Sequence, residues 1–163
     1  MSTRAKNAII VTIYNKSMKI TSSAFENKQT IPPKYTCDGE NISPPLETID
    51  TPKETKSLVL IVDDPDAPSG DWVHWLVWNI NPETKLITEN ESPKEAIQGT
   101  NDFGKQNYGG PCPPADTHRY QFKTYALDTI LNLPSFSRKK DLEKAMENHL
   151  LGKTLLIGLY QRT

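Results

Sequence analysis

Two short segments carry the side chains that could do chemistry. In the first, Asp63-Asp64-Pro65-Asp66-Ala67-Pro68 leads to His74-Trp75. In the second, Tyr108-Gly109-Gly110-Pro111-Cys112-Pro113-Pro114 leads to His118-Arg119-Tyr120. Each joins a proline-stiffened turn to a histidine at the start of an apolar run. Together they would line a small polar pocket at a sheet edge with imidazole N–H groups, a tyrosine hydroxyl and a carboxylate. Backbone N–H groups near Gly109 and Gly110 can point at an anion. Asp64 can orient a histidine or accept from an ammonium. Donors beside a carboxylate suit a phosphate joined to an amine.

Other chemistries fit these residues less well. A calcium loop beginning at Asp64 needs an oxygen ligand where Pro68 stands and a glutamate where Trp75 stands. The run Gly99-Thr100-Asn101-Asp102-Phe103-Gly104-Lys105-Gln106 nearly matches a nucleotide phosphate loop. Gln106 replaces the hydroxyl that would hold magnesium, no apolar strand precedes it, and no helix follows. Its glycines more plausibly let backbone pass close to a ligand or another loop. Neither Ser43 nor Ser69 sits in a nucleophile elbow. Cys112 and His118 could form a thiol–imidazole pair, but the flanking prolines do not activate the thiol. His74, His118 and Asp64 match no standard metal spacing. The site therefore reads as a binding site, not a catalytic one, with no metal or cofactor.

The elements that must position it are mostly strands. Ser57 to Asp63 is a continuous apolar run, as in a strand buried on both faces. Val73 to Ile80 is a second strand, in which alternation places His74, Leu76, Trp78 and Ile80 on one face. Tyr120 to Leu127 is a third, with Tyr120 and Phe122 on one face and Tyr125 and Leu127 on the other. Leu155 to Tyr160 is a last strand. Between Ser137 and Gly152, Leu142, Ala145, Met146, His149 and Leu150 recur at helical spacing. Ser137 would cap this helix and Gly152 would stop it, leaving His149 a packing or helix-end role. Glu83 to Gln98 and Gln98 to Asp116 read as long functional loops.

At 163 residues the chain is expected to form one domain, residues 1–163, large enough to bury a core without staples. Prolines number 13 and cluster at turns, which suits a β-rich domain with rigid loops. Net charge is −1 with no basic stripe, so a nucleic-acid partner is not expected. No apolar run approaches the ~18 residues of a membrane span. Ala8 to Ile13 follows Arg4 and Lys6, yet is too short for a signal peptide and lacks a cleavage site. Residues 1–20 read as a strand-like lead-in and the location as cytoplasmic. Cys37 and Cys112 form no secreted framework and read as a thiol pair, with a contact between them left open.

The two signature segments resemble those of the phosphatidylethanolamine-binding protein family, also called Raf kinase inhibitor-like proteins. The resemblance runs from about Thr21 onward. Cys37-Asp38-Gly39-Glu40-Asn41-Ile42-Ser43-Pro44-Pro45-Leu46, the Gly-Pro-Cys-Pro-Pro form and the ending Gly158-Leu159-Tyr160-Gln161-Arg162 resemble its bacterial and archaeal branch. This implies a mainly β fold, with a large antiparallel sheet packed on a smaller sheet and a C-terminal helix. It implies a pocket for phosphate or a phospholipid head group, built from Asp64, Trp72, His74, Gly110, Pro111, His118 and Tyr120. Family members act mostly by binding, as kinase-cascade regulators, serine protease inhibitors or plant developmental signals. The chain ends at its last strand, without the helical extension of the animal kinase regulators. A serine protease is therefore the favoured target, with a kinase pathway or a small hydrolase using His74 and His118 as alternatives. An inhibitory contact would fall on Glu83 to Gln98 or on Ile31 to Pro45, which offers Tyr35. A homodimer is left open.

Overall fold

The computed structural model describes residues 17–163, so the strand expected at Ala8 to Ile13 lies outside the described residues. In chain order the elements are β1 (Lys19–Thr21), β2 (Gln29–Thr30), a 3-10 turn (Pro33–Tyr35), β3 (Leu46–Ile49) and β4 (Ser57–Asp64). There follow β5 (Trp72–Ile80), β6 (Leu86–Ile87), β7 (Ile97–Gln98), β8 (His118–Leu127), α1 (Lys139–Met146) and β9 (Leu150–Tyr160). One sheet has six strands in the order β2-β9-β8-β4-β5-β7, and a second has three in the order β1-β3-β6. All pairings are antiparallel except β2 with β9. This is the mainly β arrangement with a late helix that the sequence implies.

The large sheet is covered on both faces, which is why β4 reads as an unbroken apolar run. Leu58, Leu60 and Val62 face a core shared with Ile20 and Leu46 of the small sheet. Val59 and Ile61 face a second core closed by Leu142 and Met146 of α1. Tyr120 and Phe122 fall in the first core, and Tyr125 and Leu127 in the second, as alternation along β8 requires. Trp75, Trp78 and Phe122 are at most 1 % exposed. Truncating any of them to alanine should cost about 3–5 kcal/mol.

Alternation fails along β5, and the failure matters for the site. Val62 pairs with Trp75 but Asp63 pairs with Val73, which makes His74 an extra residue in the strand. Leu60 pairs with Val77 but Leu58 with Ile80, and Asn79 takes a positive φ of 55°. Each β-bulge turns the following side chains over. Leu76 and Trp78 therefore pack under α1, whereas Ile80 joins the opposite core and His74 stands against Tyr120. The single face expected for His74, Leu76, Trp78 and Ile80 is split.

The helix is also shorter than its apolar spacing predicts. Its N-cap is Arg138, whose N–H donates to Asp141 Oδ2 at 3.0 Å, while Ser137 is buried before the cap. The helical path ends at Glu147, whose ψ is 134°, and Asn148 completes the turn with a left-handed φ of 65°, which a short polar side chain tolerates. His149 is not on an apolar stripe: its Nδ1 pairs with Asp128 Oδ1 at 2.7 Å on the surface. Leu150 already belongs to β9, and Gly152 pairs with Ala126 inside that strand. The segment Glu83 to Gln98 is not a single loop, since it contributes β6 and β7 to the two sheets.

Cys37 and Cys112 are joined in a disulfide, with Cα atoms 5.4 Å apart, so the thiol pair is corrected. It closes a loop across 75 residues, a constraint on the unfolded chain worth about 4 kcal/mol. Among the described residues no helix is long and apolar enough to cross a membrane.

Candidate functional site

The site begins at the end of β4. Asp64 is the last residue of that strand and is buried. Its Oδ1 accepts the Asp66 N–H at 2.8 Å, closing the turn that Pro65 enters. Its Oδ2 accepts from His118 Nδ1 at 2.7 Å, and His118 opens the neighbouring β8. A carboxylate can only accept, so Nδ1 carries the proton. His118 Nε2 is thereby left free, as an acceptor in the neutral ring and a donor in the charged one.

His74 is held by a parallel device. Its Nδ1 donates to Gly109 O at 2.6 Å, and Gly109 N–H returns to His74 O at 3.0 Å. Burial is the main influence on the ring and lowers its pKa below the ordinary value of 6.5, against the Gly109 carbonyl and the charge of Asp64. The rings of His74 and Tyr120 meet edge to face at 5.3 Å, and those of His118 and Tyr120 stack at 6.4 Å. Burial and then the charge of Asp64 raise the Tyr120 phenol well above its usual range. The Tyr120 hydroxyl is buried close to the Asp64 carboxylate and the Cys112 backbone.

These groups border a cavity of about 290 Å³. Five of the seven residues expected at the site line it: Asp64, Trp72, His74, His118 and Tyr120. Gly110 and Pro111 do not. Gly110 N–H donates to Asn41 Oδ1 at 2.9 Å, and Gly109 N–H goes to His74, so neither is aimed at an anion. Their smallness serves packing instead. A Cβ on Gly109 would strike the Phe103 ring, and one on Gly110 would strike Asn41 and Tyr35. Arg119 also stays outside: it forms a two-pronged pair with Asp66 at 2.8 and 2.9 Å. That pair is the main reason the Asp66 carboxyl is held down at about 2.

Several lining residues escape sequence reasoning. Phe103 stands edge-on to Trp72 and to His74, at 5.6 and 5.4 Å. It comes from the glycine-containing segment that resembled a phosphate loop, and no local pattern marks it as a wall. Cys112, Pro113 and Pro114 complete the opposite side. The cavity is thus apolar-walled with a polar floor, and among the described residues neither lysine nor arginine lines it. Among the described residues no group of three or more His, Cys, Asp or Glu side chains could hold a metal ion.

A larger concavity of about 640 Å³ lies beside α1. Part of its charge is already paired, Lys139 with Asp63 and Asp71 and Arg138 with Asp102. The smaller cavity keeps two imidazoles with free Nε2 atoms, and it is the stronger candidate.

A two-sheet β fold with such a cavity at a strand edge defines a binding protein. The chain belongs to the phosphatidylethanolamine-binding protein family, whose model matches residues 21–161. It is 51 % identical over 150 residues to a UPF0098 protein of Methanothermobacter thermautotrophicus, covering 89 % of this chain and 99 % of that one. A second UPF0098 protein, from Pyrococcus horikoshii, is 50 % identical, with 90 % and 77 % covered. Among solved structures, a PEBP homolog from Chlamydia trachomatis superposes with a TM-score of 0.87 at 43 % identity. E. coli YbcL, described as a member of the mammalian PEBP family, superposes at 0.85 and 29 %. Each covers 90 % of this chain and 99 % of its own.

Proposed function

We propose that the chain is a single-domain, non-enzymatic binding protein whose cavity takes a phosphate-bearing head group or a phosphorylated side chain. The observation that carries this reading is the pair of buried imidazoles, each fixed through Nδ1, that line one cavity together with Asp64. Asp64 orients His118 and receives an ammonium, His74 and His118 meet the phosphate oxygens, and Trp72 and Tyr120 wall the ligand. Gly110 and Pro111 act indirectly, by letting their loop sit close to Tyr35 and Asn41. A volume of about 290 Å³ suits a head group rather than acyl chains. Calorimetry with phosphorylethanolamine tests this. Saturable binding by the purified chain is expected, and no heat at millimolar ligand would overturn it.

For a protein target we retain a serine protease, engaged through an exposed loop. Ile31 to Pro45 is the weaker candidate, because Tyr35 is 6 % exposed and its hydroxyl donates to Glu89 Oε1 at 2.5 Å. Between β6 and β7, residues 88–96 are the better one. Inhibition assays against chymotrypsin-like and elastase-like proteases, with variants in that stretch, decide it. The His118–Asp64 pair favours one second reading, a hydrolase with His118 as general base. Turnover of phosphoester or ester substrates that is lost in His118→Ala would establish it. The cytoplasmic placement carries a condition, since disulfides persist mainly in oxidising compartments or inside hyperthermophiles. Thiol trapping in the source cell tests that point.

A further inference from the structure

The disulfide is part of the cavity wall. Cys112 lines the cavity and is exposed, while Cys37 is half-buried. Three hydrogen bonds also join their two segments. The Tyr108 hydroxyl donates to Tyr35 O at 2.8 Å, Gly110 N–H to Asn41 Oδ1 at 2.9 Å, and Cys37 N–H to Pro111 O at 3.1 Å. All three fall on the N-terminal side of Cys112. Pro113 and Pro114, the next wall residues, have no N–H to donate. The bond that Thr117 makes runs to Gln161 instead. Past Pro111, among the described residues, the disulfide is the direct bond that ties the wall to the 35–41 segment.

The geometry points to Cys37–Cys112 as a thiol-exchange site that opens the ligand cavity when a dithiol reduces it. Exposed disulfides are the labile and regulatory kind, whereas buried structural ones resist exchange. One thiolate of the dithiol attacks Cys112 Sγ, the more accessible half. The protein S–S bond breaks, a mixed disulfide forms, and Cys37 leaves as a thiolate that takes up a proton. The second thiol of the reagent loses its proton and attacks its partner sulfur, and Cys112 leaves and is protonated. Two electrons and two protons pass to the protein, and the dithiol becomes a cyclic disulfide. The imidazoles keep their anchors throughout, because Gly109 O and Asp64 are fastened by other bonds. What is lost is the wall of Cys112, Pro113 and Pro114.

This inference rests on the ligand reading above, and the experiment separates the two. The full-length chain is titrated with phosphorylethanolamine in the oxidised form, after dithiothreitol, and after reoxidation. Reduction is expected to weaken binding ~10-fold, reversibly, which is the scale of losing one enclosing contact surface. Proteolysis within residues 112–117 is expected to accelerate in the native, reduced chain. Equal affinity in both forms would overturn the exchange site. So would a disulfide that dithiothreitol reaches only in denaturant, or loss of the folded circular dichroism spectrum on reduction. If the oxidised chain binds no phosphorylethanolamine, the ligand reading fails. The exchange site is then decided by proteolysis alone, with faster cleavage upholding it and unchanged cleavage overturning it. Cys37→Ser, which leaves the lining residues in place, should behave as the reduced chain does.

Discussion

Asp63 and Asp64 are neighbours in β4 yet serve opposite faces of the sheet. Asp64 Oδ2 accepts from His118 inside the cavity at 2.7 Å. Asp63 Oδ2, on the other face, accepts from Lys123 Nζ at 2.6 Å and from Lys139 Nζ at 2.8 Å. The first carboxylate orients a binding group. The second docks α1, because Lys139 is the first residue of that helix.

Asp63→Asn should therefore destabilise the fold and spare the ligand site. Asp63 is fully buried and its lysines are about one-fifth exposed. Removing the shared anion leaves the poorly solvated Lys123 ammonium unpaired and Lys139 held by Asp71 and Glu143 instead, at a cost of roughly 3 kcal/mol. Chemical denaturation should show the loss, while calorimetry with phosphorylethanolamine shows affinity within about twofold.

His118→Ala should weaken phosphorylethanolamine binding by ~10- to 100-fold, the worth of one charge-assisted hydrogen bond. His149→Ala is the control. Its imidazole is paired with Asp128 on the surface, away from the cavity, so its affinity should match the parent chain. Equal losses in both variants would remove His118 from the site.

Affinity for a phosphate monoester should fall as pH rises from 6 to 8. Burial lowers the His74 pKa and favours the neutral ring, whose Nε2 accepts and so prefers a ligand that still carries a proton. The monoester loses that proton near pH ~6. The dianion also faces Asp64 with no lysine or arginine in the lining. A phosphodiester, which has no second ionisation, should show a flatter profile in the same titration.

Acid stability should depend on Asp66 and Arg119. The folded carboxyl is held at about 2, chiefly by its hydrogen bond with Arg119, against an ordinary value of 3.8. A depressed acid stabilises the fold above the unfolded pKa and loses that contribution as pH falls through the folded one. The melting temperature of the parent should drop between pH 4 and 2 more steeply than that of Asp66→Asn.

Gly110→Ala should lower stability by about 1–3 kcal/mol through overpacking. The added Cβ would meet Asn41 Oδ1 and the Tyr35 carbonyl, one side chain and one fixed backbone atom. Thermal unfolding measures the cost, and weakened ligand binding should accompany it because the loop also carries the His74 acceptor Gly109.

Local sequence was enough for the strands at β4, β5 and β8 and for the second half of β9, since their apolar residues run on or alternate clearly; the first half of β9 carries helical spacing and read as helix. It was also enough to pair the His74 and His118 segments, because proline-stiffened turns bearing histidine are distinctive in type and order. Three features depended on the tertiary structure. The bulge at His74 arises from pairing with β4, and no residue in β5 announces it. Phe103 reaches the cavity because its ring packs edge-on to Trp72 and His74 of β5, over the space that Gly109 leaves. The union of Cys37 and Cys112 across 75 residues depends on two loops meeting, which spacing cannot specify. Side-chain type and periodicity act over a few residues, so they determine elements. Register, ring packing and loop contact are set by partners far along the chain, so only the folded arrangement decides them.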